Sequence, residues 1–174
     1  MRTHRQPRIG WRQESESTTA KPDRLPPPWS LNAPEWVLAL LLFLFHFIWE
    51  MLQTPFFATM SEMPHWPATL ICLRATLGDA GIGVLAFEAM TLLTWDRSWF
   101  LHSSTLATLG YVAFGVLATV ALEIHALSPA HRWVYSDLMP IIPGLGIGLV
   151  PLLQWLILPC PVLYLLKRHY LGTR

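Results

Sequence analysis

"WVLALLLFLFHFIWEMLQTPFF", residues 36–57, decides the fold. At a rise of about 1.5 Å per residue a helix over this stretch is about 33 Å long, enough to cross a hydrocarbon core of about 30 Å. No residue between Glu35 and Glu50 carries a charge. Yet His46, Glu50 and Gln53 interrupt the apolar run at helical spacing, so all three fall on one face. A helix built this way has to place its polar face against other protein, because lipid offers those groups no partner.

Working outward, three more apolar stretches follow. The second covers about 69–95 and contains Arg74, Asp79 and Glu88; the third covers about 103–127; the fourth covers about 138–166. With 53% hydrophobic residues, 13% charged residues and nine tryptophans, the reading is an all-α integral membrane four-helix bundle, spans at about 34–56, 69–95, 103–127 and 138–166, within a transmembrane domain 32–174. The fourth span holds Pro140, Pro143, Gly144, Gly146, Gly148, Pro151, Pro159 and Pro161, which predicts a kinked or partly unwound helix. Its freed backbone groups then need a neighbouring helix or a wet cavity, although the glycines also suit close helix packing. Asn32 is the expected cap of the first helix, with Pro34 and Glu35 in its opening turn, and Ser136 or Asp137 the expected cap of the fourth.

Residues 1–31 read as a disordered cytoplasmic tail: Arg2, Arg5, Arg8, Arg12, Lys21 and Arg24 are diluted by Glu14, Glu16 and Asp23, ahead of a triple proline. The spread of these charges favours a topology marker over a nucleic-acid arm, so no nucleic acid is expected as partner. Arg97, Lys167, Arg168 and Arg174 extend the same bias, which places both termini in the cytoplasm and favours a bacterial inner membrane over the endoplasmic reticulum. Trp36, Trp95 and Trp99 would rim the inner interface, Trp66 and Trp133 the outer one.

Several chemistries lack their residues. Cys72 and Cys160 lie on different spans and neither belongs to a C-x-x-C pair, which disfavours a thiol oxidoreductase. His46 and Glu50 have legitimate ligand spacing, but no second clustered histidine exists, so no metal is expected. "GLGIG" at 144–148 lies inside a proline-rich apolar span and is no phosphate cradle; no cofactor is expected.

Depth brings the polar residues together. His46 falls near the middle of its span, Glu50 about 6–8 Å further out and Gln53 beyond it; Asp79 falls about 4–5 Å outward of centre, Arg74 about 12 Å and Glu123 about 10 Å. Gln154 and Trp155 sit near the centre of the fourth span. The trio of the first helix can thus meet Arg74, Asp79, Glu123 and Gln154 in the outer half of the bundle. A purely structural role stays open for each: registry hydrogen bonds for His46 and Glu50, an ion pair of Arg74 with Asp79 or Glu50. Glu88 and His125 fall on other helix faces, and His65 lies in the outer loop, where a role stays open.

His46-x-x-x-Glu50 followed by "LQTPFF", then "LGD" at 77–79, Glu123 ending the third helix, and "LLQWLILP" at 152–159 resemble, in order, the features of EXPERA-domain membrane proteins, which include emopamil-binding sterol isomerases and the sigma-2 receptor. That resemblance implies an intramembrane cavity for a lipophilic molecule, and, in the isomerase branch, proton transfer by the matching histidine and glutamates. The expected site is therefore His46, Glu50 and Glu123 as catalytic groups, with Gln53, Arg74, Asp79, Gln154 and Trp155 binding substrate. The expected partner is a membrane lipid or lipophilic small molecule, and a homo-oligomer is compatible with this reading. A non-catalytic lipid-binding or trafficking module and a small proton-coupled carrier are the alternatives.

Overall fold

A computed structural model describes residues 25–102, 104–127 and 133–172. The described chain is helical throughout its spans. Helix α1 runs Pro34–Gln53 and ends in a 3-10 turn, Thr54–Phe56; the single turn α2 is Ala58–Ser61; α3 is His65–Thr94; α4 is Thr105–Leu127; α5 is Leu149–Ile157 and α6 is Pro159–Gly172. Four stretches are long and apolar enough to cross a membrane: Pro34–Phe56, His65–Thr94, Thr105–Leu127 and Leu149–Gly172. This is the all-α four-helix membrane architecture that hydropathy predicts.

The helices pack in sequence order, α1 along α3, α3 against α4, α4 against α5, and α6 back against α1. The Tyr170 hydroxyl donates to the Asn32 carbonyl, so α1 begins and α6 ends at the same end of the bundle. The apolar core fills that end, where Leu38, Leu42, Phe87, Trp99, Tyr111 and Leu166 are fully or almost fully buried. Along α1 the pattern is the reverse of a soluble helix further up: Leu44, Ile48 and Leu52 are exposed while His46, Glu50 and Gln53 are buried. In lipid that arrangement costs nothing on the apolar side and shelters the polar one.

Of the tail expected over 1–31 only 25–31 are described, and these are held to the bundle; two other sequence expectations change. Arg97 grips Glu35 through two parallel bonds of 2.7 and 2.6 Å and reaches the Pro26 carbonyl, while Trp36 donates its indole N–H to the Pro28 carbonyl at 3.2 Å. The rest of the tail, with its six basic residues, lies outside the described residues, as does Arg132. Asn32 does not cap α1; Ala33 holds the cap position and no side chain bonds there, although Pro34 and Glu35 occupy the first turn as expected.

The largest change is in the fourth span. Its helix starts at Leu149, capped by Gly148, and not at 138 behind Ser136 or Asp137. Residues 138–148 form a tight loop instead: Ile142 N donates to the Ile147 carbonyl at 2.9 Å and Leu149 N to the Pro140 carbonyl at 2.8 Å. Gly144 and Gly146 have φ of 86° and 69°, a region glycine enters without steric cost and a continuous helix cannot contain. Further on, α5 passes into α6 at Leu158, where Pro159 and Pro161 remove two N–H donors. The ladder bridges that gap through Leu158 N to the Gln154 carbonyl, 2.9 Å, and Val162 N to the Leu158 carbonyl, 3.2 Å.

Gly115 on α4 sits against the Trp155 ring of α5. A Cβ built there would lie 1.9 Å from a ring carbon of Trp155, so only glycine leaves room for the indole. Gly115→Ala is expected to lower stability by about 1–3 kcal/mol, measured by unfolding in detergent. Gly81→Ala, which meets nothing within 4 Å, should be neutral or mildly stabilising. Equal effects at the two positions would contradict this packing.

Candidate functional site

Three helices carry the central polar cluster. The face of α1 presents His46, Glu50 and Gln53 inward, at 0%, 8% and 6% exposure; α3 contributes Asp79 and α5 contributes Gln154. They meet at the Gln154 side-chain nitrogen, which lies 2.7 Å from His46 Nδ1, 2.9 Å from Asp79 Oδ2 and 3.5 Å from Glu50 Oε1. An amide NH2 has two hydrogens for these three neighbours. Gln53 supplies a further donor to the same Glu50 oxygen at 2.8 Å.

His46 Nδ1 also stands 3.2 Å from Asp79 Oδ2. Two proton placements fit that geometry. With the proton on Nε2, Nδ1 accepts from Gln154; with the proton on Nδ1, the ring donates to Asp79 and the Gln154 amide serves the carboxylates. Changing between them requires no movement of the backbone. The orphan atoms are equally informative: among the described residues His46 Nε2 and Gln53 Oε1 are buried with no hydrogen-bond partner.

Beside this cluster lies a cavity of about 350 Å³, walled by α1, α3 and α4 and floored by Pro151 and Gln154 of α5. Its walls are mostly apolar, with Phe57, Ile71 and Ile82 among them, and Glu50, Gln53, Asp79 and Gln154 enter from one side. Glu123 enters from α4. Of the residues that line it, Arg74, Ala75 and Gly78 on α3 and Leu122 on α4 are exposed, so the cavity opens on the flank between those two helices.

Glu123 belongs to a second polar station. It is 5% exposed and accepts a hydrogen bond from the Tyr135 hydroxyl, which in turn accepts from the Gly148 backbone N–H at 2.9 Å. Burial, and then the Glu123 carboxyl it bonds, push the Tyr135 phenol up from its ordinary range, so it stays a protonated donor. Tyr135 is placed by the connector after α1: Ala58 N donates to the Val134 carbonyl at 2.9 Å and Ser136 N to the Phe56 carbonyl at 3.0 Å. Trp133 completes that wall, edge-on to Phe57 at 6.2 Å.

Five of the eight expected site residues, His46, Glu50, Gln53, Asp79 and Gln154, thus form one network, and Glu123 faces the same cavity from a separate one. The other two have different places. Arg74 stands exposed at the mouth and, among the described residues, makes no ion pair. Five residues separate it from Asp79, about 140° around the helix, so the two side chains leave in different directions and Asp79 meets His46 and Gln154 instead. Trp155 does not line the cavity; its buried ring sits edge-on to His46 at 5.1 Å and fills the notch at Gly115. Tyr135 is the residue that sequence reading misses. It stands in a short loop with no periodic pattern, and only the pairing of that loop with residues 56–58 brings it to Glu123.

Comparison with protein-family models, curated proteins and solved structures returns no match to this chain. The chemistry therefore has to be argued from the site itself.

Gln154→Leu leaves His46, Asp79 and Glu50 short of donors, and is expected to cost about 1–3 kcal/mol in detergent unfolding; a melting curve unchanged from wild type would contradict the hub. Tyr135→Phe is expected to speed hydrogen exchange at the Gly148 amide and cost about 1 kcal/mol. Because folding raises the Tyr135 pKa, its contribution is complete below the free phenol value of about 10 and declines as pH rises beyond it. Parallel stability curves for wild type and Tyr135→Phe through that alkaline range would refute the assignment.

Proposed function

We propose that this chain is a membrane-embedded protein that binds a lipophilic, isoprenoid-like molecule in the cavity between α1, α3 and α4 and transfers a proton to and from it. One observation carries the reading: two carboxyl stations, Glu50 with Asp79 and Glu123 held by Tyr135, enter one mostly apolar cavity from different helices. A volume of about 350 Å³ lies within the usual range for small-molecule sites, which is about 300–1,000 Å³.

An isomerisation needs little else. One carboxyl group adds its proton to a double-bond carbon; the carbocation that forms is held between carboxylates in a medium of low dielectric constant; the other carboxylate removes a proton from a neighbouring carbon. The second carboxyl is left holding a proton and the first lacks one; turnover is completed when the second loses its proton to the surroundings and the first takes up another, with His46 and Asp79 adjacent to Glu50 as its relay. The two glutamates can exchange these roles. The resemblance to EXPERA-domain proteins points the same way, and the basic residues Arg97, Lys167 and Arg168 near the terminal end of the bundle favour that end as the cytoplasmic one.

A binding module without turnover uses the same cavity and is favoured by the orphan Gln53 oxygen, which offers a fixed acceptor to a ligand. A proton-coupled carrier is less well supported, because the described polar network stops at His46 and the aromatic core around Phe87, Trp99 and Tyr111 fills the bundle beyond it.

The test uses purified protein in D2O with a panel of isoprenoid alkenes and alcohols. Wild type is expected to introduce deuterium at an allylic carbon, Glu50→Gln and Glu123→Gln to slow this by about 10²-fold or more, with bound lipid retained by mass spectrometry. Retained binding with no deuterium in wild type would select the module. Absence of both binding and exchange would overturn the proposal.

A further inference from the structure

At the opposite end of the bundle, on the outer surface of α4 and α6, is a second cavity that plays no part in the site above. It measures about 420 Å³ and is lined by Trp99, Phe100, Leu163 and Leu171, with Lys167 and Arg168 among its polar members. We infer that this cavity is a binding site for an anionic phospholipid, one acyl chain lying against the apolar wall and the phosphate held by Lys167 and Arg168.

Three observations support that occupant. Among the described residues that line the cavity, the charged ones are Lys167 and Arg168, both cations. Its depth profile matches an amphiphile: Lys167 and Arg168 lie in the last turns of the span that ends at Gly172, while Cys160 lies about 10 Å deeper along α6. Finally, Trp99 lines the cavity and is 2% exposed, yet among the described residues its indole N–H has no acceptor. Arg168 reaches the Tyr164 hydroxyl at 3.4 Å, which keeps the guanidinium beside the cavity rim. A small soluble anion could use the cations but would leave the apolar wall uncovered. A zwitterionic lipid could cover the wall but brings its own cation to a site already positive.

This inference is independent of the α1–α3–α4 site. The test is native mass spectrometry of the full chain in detergent, titrated with short-chain phosphatidylglycerol or phosphatidylcholine of matched acyl length. Phosphatidylglycerol is expected to form a one-to-one adduct at about tenfold lower concentration or less. The double variant Lys167→Gln/Arg168→Gln should lose that preference, and Glu50→Gln should keep it. Phosphatidylglycerol should also slow maleimide labelling of Cys160, an exposed residue of the lining, and Cys160→Trp, which fills the space, should abolish the adduct even where the charge variant folds poorly. Equal adducts from the two lipids, an undiminished preference in the double variant, unchanged labelling of Cys160, or equal protection by inorganic phosphate alone would each overturn the assignment.

Discussion

The amide of Gln154 is the point on which the polar half of this bundle depends. Ionisable groups placed in an apolar phase are tolerated when they satisfy one another, and a carboxamide is the side chain that can address an imidazole and two carboxylates without adding charge. To stand between His46, Asp79 and Glu50 it must be held on a helix that packs against both α1 and α4. The neighbouring Trp155 does this by locking into the notch at Gly115 and against the His46 ring. The position of α5, the glycine on α4 and the polar face of α1 are consequences of one hydrogen-bonding problem solved together.

The molecule divides its labour along its length. Towards the chain ends, aromatic and aliphatic side chains pack densely, and the Arg97–Glu35 pair and the Tyr170–Asn32 contact clamp the entry of α1 to its neighbours. That end fixes the relative position of the spans. The other end carries the cavity beside Gln154 and the unpartnered His46 Nε2 and Gln53 Oε1, features that weaken packing locally. Loop 133–148 spans the gap by backbone pairing with residues 56–58, and it carries Tyr135 to Glu123.

Much of this architecture is legible in the residues. Hydropathy finds four spans because lipid exposure selects apolar side chains regardless of detail, and the spacing of His46, Glu50 and Gln53 gives their shared face because a helix has a fixed period. What hydropathy cannot find is conformation: "MPIIPGLGIGLV" is as apolar as a helix, yet Gly144 and Gly146 turn it back on itself with positive φ. Depth counting places Arg74 and Asp79 both in the outer half of the second span but leaves their direction around α3 open, and direction is what separates them. Tyr135 depends on a contact between loops far apart in sequence, for which no local pattern exists.

The flank on which the cavity opens has a thermodynamic consequence. Its doorway, bordered by Arg74, Gly78 and Leu122, lies between α3 and α4, two helices long and apolar enough to cross a membrane. Under the proposed function, a lipid-borne solute approaching Glu50 would already have surrendered its hydration to the bilayer, so the hydrophobic gain would precede contact with the protein. Selection among such molecules would then rest on the few polar contacts inside, and occupancy would follow the solute's mole fraction in the membrane instead of its concentration in water.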